Sequence, residues 1–194
     1  MDIPLFPLGH PLFPGGRFPL RIFEPRYVDM TKVCIRDDAV FGIVLIKAGF
    51  EDGQPAIPFE LGCTARITEW EVPGAGLFSL VTRGETRFRI RRRWHQPDGL
   101  MRGEVDLIEP PDPLPLPDDY SHLQKLLREL AAQVGPEHLP QPTRWEDALW
   151  VAYRLSEWLP VTPERKQAVL ELDEPRAVLA AVHRLLQGLS RGSG

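Results

Sequence analysis

The sequence predicts an α+β protein in which a β-rich first part is followed by a small helical bundle. Up to about residue 110, the chain consists of short β-type runs separated by glycine and proline turn signals. PPDPLPLPDD (residues 110–119) contains five prolines, and proline continues neither a helix nor a central strand. From residue 118 onward, apolar residues recur at helical spacing. The predicted boundaries are therefore residues 1–112 for the β-rich domain and 118–190 for the helical subdomain.

Seven short strands and one helix are predicted in the first part. Gly15-Gly16 forms a turn into the second strand, and Pro25 begins the helix. The prolines in the first strand place it at a sheet edge. This number of strands favours a closed or half-closed barrel. The other strands cover Ile3–Leu8, residues 40–46, Leu61–Val72, Leu77–Arg83, Thr86–Trp94 and Leu100–Ile108.

The last hairpin allows its register to be predicted. A loop at Pro97-Asp98 places apolar residues together on one face and opposite charges on the other. A glycine bulge at Gly99 would instead place Ile90 opposite Asp106, so we favour the register without it. That register pairs Phe88 with Leu107, Arg89 with Asp106, Ile90 with Val105 and Arg91 with Glu104.

Four helices are predicted in the second part. The second of them, Arg144–Leu159, has a core stripe that leaves Trp150 on the outer side, and Trp158 at the margin of the stripe. The others are Asp118–Val134, a helix capped by Thr162 that runs to Leu172, and one from about Asp173 to Leu189.

Composition and charge narrow the function classes. The chain has 194 residues, 43% hydrophobic and 26% charged, which is typical of globular domains. Its net charge of −4 provides no general attraction to nucleic acid or to an anionic membrane. No apolar run is long enough to span a bilayer, and the amino end lacks the basic segment of a signal peptide. We therefore predict a cytoplasmic protein without membrane association.

Catalytic and metal-binding patterns are scarce. No serine lies in a G-x-S-x-G motif, and Cys34 and Cys63 fall on apolar runs that predict burial. The five histidines have no metal-site spacing. We expect no catalytic residues, no cofactor and no metal.

Three stretches, in order, resemble one family. They are PLFPLGHPLFPGGRFPLRIFEPRYVDM (residues 4–30), VTRGETRFRIRR (residues 81–92) and LSEWLPVTPERKQAVLELDEPRAVLAAV (residues 155–182). They are similar to the amino-terminal domain of Lon protease and to the helices that follow it. The resemblance implies a PUA-like β pseudobarrel with a helical extension, which in Lon engages unfolded or tagged polypeptides.

The chain also departs from Lon. It has no G-x-x-x-x-G-K-[ST] phosphate loop, and it resembles a stand-alone Lon domain without ATPase and protease segments. The resemblance thus implies a non-catalytic recognition or adaptor module for unfolded or extended polypeptides. A separate ATPase or protease as partner, and a homodimer, stay open.

Three sets of residues are candidates for binding. The tryptophans Trp70, Trp94, Trp150 and Trp158 either anchor a polypeptide or pack inside the protein. Glu24, Arg26 and Tyr27 form either the polar rim of a cleft or an ordinary helix start in which Arg26 pairs with Glu24 or Asp29. Arg87, Arg89, Arg91 and Arg93 alternate along one strand and support an alternative hypothesis, RNA binding, unless acidic neighbours neutralise them.

Overall fold

The computed structural model describes residues 1–49, 56–74 and 76–191. The chain divides into two compact units, residues 1–110 and a second unit from Pro111 onward. No helix in the described part of the chain combines the length and the apolar character needed to cross a bilayer.

The first unit is a β barrel with one helix. Strand order is β2-β5-β4-β3-β1-β6, and β6 also pairs with β5, so five strands close into a ring while β2 lies alongside β5. The predicted pseudobarrel is confirmed. The elements are β1 (Asp2–Leu8), β2 (Arg17–Ile22), α1 (Pro25–Asp37), β3 (Phe41–Ala48), β4 (Ile57–Gly74), β5 (Leu77–His95) and β6 (Met101–Leu107).

The prediction that the first strand lies at an edge is wrong. Residues 2–4 of β1 pair with β6, and residues 5–8 pair with β3, so the strand is part of the barrel wall. Pro4 and Pro7 are tolerated there because β1 changes partner along its length. Each half of β1 pairs with one neighbouring strand, so the N–H that a proline lacks can be the one on the unpaired side of the strand.

The two strands predicted on either side of Gly84 are one continuous strand, β5. Gly84 is needed for close approach and not for a turn. Its N–H donates to the Gly16 carbonyl at 2.9 Å, and its carbonyl accepts from the Gly15 N–H at 2.8 Å. A Cβ at this position would overlap the carbonyl oxygen of Phe13. Only glycine therefore fits without displacing the preceding loop.

Two apolar clusters hold the first unit together. One fills the barrel and includes Phe88, Ile90 and Val44. The other packs the face of α1 against the outside of the barrel and includes Ile43. Neighbouring residues of β3 thus point into different clusters, as the continuous apolar run predicts for a strand buried on both faces.

The β5–β6 hairpin contains two bulges that cancel. Gly99 has a φ of 84° and adds one residue on the β6 side of the turn, and a register shift at Arg91 adds one residue on β5. The pairs Phe88–Leu107, Arg89–Asp106 and Ile90–Val105 therefore form as predicted. Glu104 pairs with Arg92, so the predicted Arg91–Glu104 pair is wrong.

The second unit contains four described α-helices. They are α2 (Ser121–Val134), α3 (Ala148–Trp158), α4 (Pro163–Leu170) and α5 (Pro175–Arg191). The prediction that α3 begins at Arg144 is wrong. Residues 114–116 pair with residues 146–148 in a short β bridge, and Asp147 caps the helix by accepting from the Trp150 N–H at 3.0 Å. The residues just before α3 are therefore extended backbone, and they pair with the proline-rich segment.

Candidate functional site

The first unit carries a three-stranded projection that we call the arm. It consists of β2, residues 66–74 of β4 and residues 77–83 of β5. The arm exists because β4 has 18 residues and β3 has 8, and the register between them ends at Ala65. Among the strands that the structure describes, residues 66–74 of β4 pair only with β5. The outer edge of β4 in the arm, like that of β2, is therefore unpaired with another strand.

The two faces of the arm differ in polarity. Trp70 pairs with Leu80, which pairs with Leu20 across the arm, so these three side chains share one face. Leu80 and Leu20 are buried, whereas Trp70 is 52% exposed. On the opposite face, Arg17 forms an ion pair with Glu69 at 2.6 Å. The apolar core of the unit thus continues to the surface at Trp70.

Two further apolar side chains lie near the tip of the arm. Val72 is two residues beyond Trp70 and is 52% exposed. Phe23 follows β2 at the end where Ile22 pairs with Phe78, and it is 63% exposed. The Trp70 and Phe78 ring centroids are 6.4 Å apart. We call Phe23, Trp70 and Val72 the apolar tip.

Sequence reasoning found Trp70 but missed Phe23 and Val72. The alternation of Glu69 and Glu71 with Trp70 and Val72 does signal a strand with one polar face. Exposure of the apolar face depends on how far β4 extends past β3, which local pattern does not encode.

The other three candidate tryptophans have different environments. Trp94 and Trp158 are half-buried, and the Arg92 guanidinium lies 5.2 Å from the Trp94 ring centroid. The expectation that Trp150 lies on the outer side of α3 is wrong, because it is only 8% exposed and packs edge-on against Trp145 at 5.2 Å. Trp150 is therefore not available as an exposed anchor.

Arg154, one helical turn after Trp150 on α3, is fully buried and forms an ion pair with Glu157 at 2.9 Å. Lys166 donates to the Glu157 main-chain carbonyl at 2.7 Å. Burial raises the pKa of Glu157 to about 7, against the lowering effect of Arg154 and Lys166. Burial also lowers the pKa of Lys166, with Glu157 opposing the shift.

We expect the Glu157→Gln variant to lose part of the pH dependence of stability. The raised pKa means that the native carboxyl keeps its proton between pH 4.5 and about 7, whereas the unfolded one has lost it. The wild-type free energy of unfolding should therefore fall through this window as pH rises, by roughly 3 kcal/mol from this group. Urea unfolding at about pH 4.5 and about pH 8 measures it. Glu129→Gln, at an exposed position on α2, should keep the wild-type fall, and an unchanged fall in Glu157→Gln would contradict the assignment.

The polar group at the start of α1 is an internally paired helix start. Arg26 forms an ion pair with Glu24 at 2.6 Å, and its guanidinium lies 4.9 Å from the Tyr27 ring centroid. Tyr27 is buried, with its ring 4.2 Å from that of Phe6. This arrangement favours the interpretation as a helix start over a cleft rim.

The arginines of β5 do not form one open basic face. Arg87 is buried, and Arg89 is exposed opposite Asp106 in the register. Arg91 forms an ion pair with Asp106, and Arg93 forms one with Glu60 at 3.1 Å. The carboxylates of Asp106 and Glu60 thus offset part of the positive charge of this strand.

Titratable groups with catalytic or metal-binding potential are sparse in the described residues. Burial raises the pKa of the Cys34 thiol to about 11, and Cys63 is also buried. No group of three or more His, Cys, Asp or Glu side chains suited to a metal occurs within residues 1–49, 56–74 and 76–191. Sequence spacing missed one pair, His122 and His183, whose ring nitrogens lie 2.8 Å apart between α2 and α5.

Comparison with known families accounts for this architecture. The family model of the ATP-dependent protease La (Lon) substrate-binding domain matches residues 2–188. The chain belongs to this family. The Lon substrate-binding domain is a non-catalytic domain.

Relatives and solved structures agree with the family. Lon protease 2 of Myxococcus xanthus is 30% identical over 193 residues, and Lon protease of Anaeromyxobacter dehalogenans is 28% identical over 196 residues. Each match covers 95% of this chain but 23% of the protease, so the chain spans about a quarter of the length of these curated relatives.

Two solved structures share the fold. The crystal structure of a Lon N-terminal domain protein from Xanthomonas campestris is 31% identical, with a TM-score of 0.76 over 98% of both chains. The N-terminal domain of Mycobacterium avium complex Lon protease has a TM-score of 0.66 over 95% of this chain and 97% of that one. Because this second structure is only 19% identical in sequence, its similarity shows the fold alone.

Proposed function

We propose that this Lon-type domain binds unfolded or extended segments of other proteins at the arm. The observation that carries the proposal is the apolar tip, where Trp70, Val72 and Phe23 are all more than half exposed. Exposed aromatic and aliphatic side chains grouped beside a buried apolar surface are typical of interaction sites. Membership of a substrate-binding family supports the same function.

The strand edges of the arm give a physical basis for broad recognition. An extended segment that pairs with residues 66–74 of β4 would form main-chain hydrogen bonds, which any sequence except proline can supply. The apolar tip would add contact area for apolar side chains of that segment. Such a site selects for extended backbone and apolar content and not for one sequence, which suits unfolded clients.

The fate of the bound segment is also part of the proposal. The curated relatives are Lon proteases. We propose that the domain delivers bound polypeptide to a protease of that type, as an adaptor or as part of a larger assembly.

We expect a Trp70→Ala, Val72→Ser variant to bind unfolded protein at least about tenfold more weakly, because it loses two of the three side chains of the apolar tip. Fluorescence anisotropy with a labelled, reduced and alkylated protein measures the dissociation constant. Leu107→Ser is the matched control, since Leu107 on β6 is 51% exposed and lies outside the arm.

The control variant should bind as the wild type does. Equal affinity for the arm variant and the wild type would contradict the proposed site. Salt-sensitive binding of a labelled RNA, lost on substitution of Arg89 and Arg91, would instead support the alternative hypothesis of RNA binding.

A further inference from the structure

The helical unit has a surface groove between α4 and α5, which plays no part in the function proposed for the arm. Its volume is about 340 Å³, within the range of about 300–1,000 Å³ that is usual for ligand sites. Val169, Leu172 and Leu185 form its apolar floor, and Arg165 and Arg184 stand at its rim. All of these residues belong to the second unit, so the groove is a separate site from the apolar tip.

Local structure explains why the groove is open. α4 has only 8 residues and is followed by a short turn into α5. Val169 is buried and packs inward, whereas Ala168 beside it is exposed and has only a methyl group to contribute. The space above the floor is therefore left unfilled by the side chains of α4.

The two arginines at the rim contrast with two other arginines of this unit, which form ion pairs. Arg154 pairs with Glu157, and Arg176 pairs with Asp119. Among the residues that the structure describes, Arg165 and Arg184 form no ion pair or hydrogen bond with a side chain. Two exposed guanidinium groups, one on each helix, thus flank an apolar floor without an acidic partner. Guanidinium groups bind carboxylates well because they can donate two parallel hydrogen bonds.

We propose that this groove binds an acidic, leucine-bearing polypeptide segment. The apolar side chain of the segment lies on the floor, and flanking Asp or Glu carboxylates pair with Arg165 and Arg184. This site does not depend on the proposed function of the arm. It adds a sequence preference, for apolar residues next to acidic ones, that an open strand edge cannot provide.

The test is fluorescence anisotropy with a fluorescein-labelled dodecapeptide in which pairs of leucines alternate with pairs of glutamates. We expect Arg165→Glu, Arg184→Glu to weaken binding at least about tenfold, since both rim charges are reversed. Ala168→Trp should weaken it as much without changing the charge, because the indole fills the groove. Arg144→Glu, Arg191→Glu is the matched control for net charge and should bind within about twofold of the wild type.

Several results would overturn the proposal. They are equal affinity for a peptide with lysine in place of glutamate, an equal loss of affinity in the Arg144→Glu, Arg191→Glu control, and binding of dodecanoate with no binding of the peptide. The Trp70→Ala, Val72→Ser variant should keep the wild-type affinity for this peptide. Failure of the arm proposal would therefore leave this result unchanged, and the two proposals can fail separately.

Discussion

Replacing Arg154 with methionine is expected to lower the free energy of unfolding by about 3–5 kcal/mol at pH 8. The side chain is fully buried on α3, and its Nη2 lies 2.9 Å from Glu157 Oε1. Methionine keeps much of the apolar stem but leaves the Glu157 carboxylate without this partner. The loss should be smaller at low pH, because protonation removes the uncompensated charge. Urea unfolding at both pH values measures the effect.

A second substitution tests the cause of this loss. Arg154→Met, Glu157→Met should recover most of the stability, since an apolar pair often replaces a buried ion pair at little cost. Arg176→Met is the matched control, because Arg176 lies 3.8 Å from Asp119 and both side chains are largely exposed. It should change stability by less than about 0.5 kcal/mol. A double variant as unstable as Arg154→Met would show that shape, and not charge, dominates.

Replacing Phe88 with alanine is expected to cost about 3–5 kcal/mol, because the ring is fully buried in the barrel and leaves a cavity. Its position depends on two glycines. A Cβ on Gly42 would lie 2.6 Å from Phe88 Cζ, and one on Gly62 would lie 2.7 Å from it. The ring thus packs directly against the backbone of β3 and β4. Chemical denaturation measures the loss.

The two glycines provide the control. Gly42→Ala alone should cost about 1–3 kcal/mol through overpacking, and Phe88→Leu should relieve part of that cost in the double variant. Gly62→Ala should not be relieved in this way, because its Cβ would also lie 2.5 Å from the main-chain oxygen of Ile43. Additive effects for Gly42→Ala with Phe88→Leu would contradict the proposed packing.

Periodicity was sufficient to predict most elements of this fold. The strand at residues 40–46 and the helix that begins at Pro25 are predicted correctly, because each depends on local signals in the sequence. The break predicted between Arg83 and Thr86 does not occur, because Gly84 continues the strand and allows a close backbone approach. The role of Gly84 depends on the loop around Phe13, which is distant in sequence.

The register in the centre of the β5–β6 hairpin is predicted correctly, although its two bulges are not. Pairing Ile90 with Val105 satisfied both faces, and the structure has that pair. The backbone reaches this register in a different way from the prediction, because Gly99 forms a bulge and a second bulge at Arg91 compensates for it. Core packing determines the register where the hairpin lies in the barrel wall, whereas turn chemistry determines the register next to the β5–β6 turn.

The candidate site was only partly accessible from the sequence. Trp70 could be named because tryptophan is rare and apolar, but exposure is a property of the assembled sheet. Trp150 shows the reverse error, since the outer side of a helix stripe was expected to face solvent and is buried instead. Helical spacing predicts one buried face and does not exclude a second.

One strand, β5, runs without a break from the arm into the barrel wall. The backbone of β5 in the arm is therefore ordered together with the barrel when the chain folds. A polypeptide that binds as we propose would meet strands that are already paired with β5, and it would need to order mainly itself. Binding at such a site would lose less conformational entropy of the protein than binding that requires a flap to close.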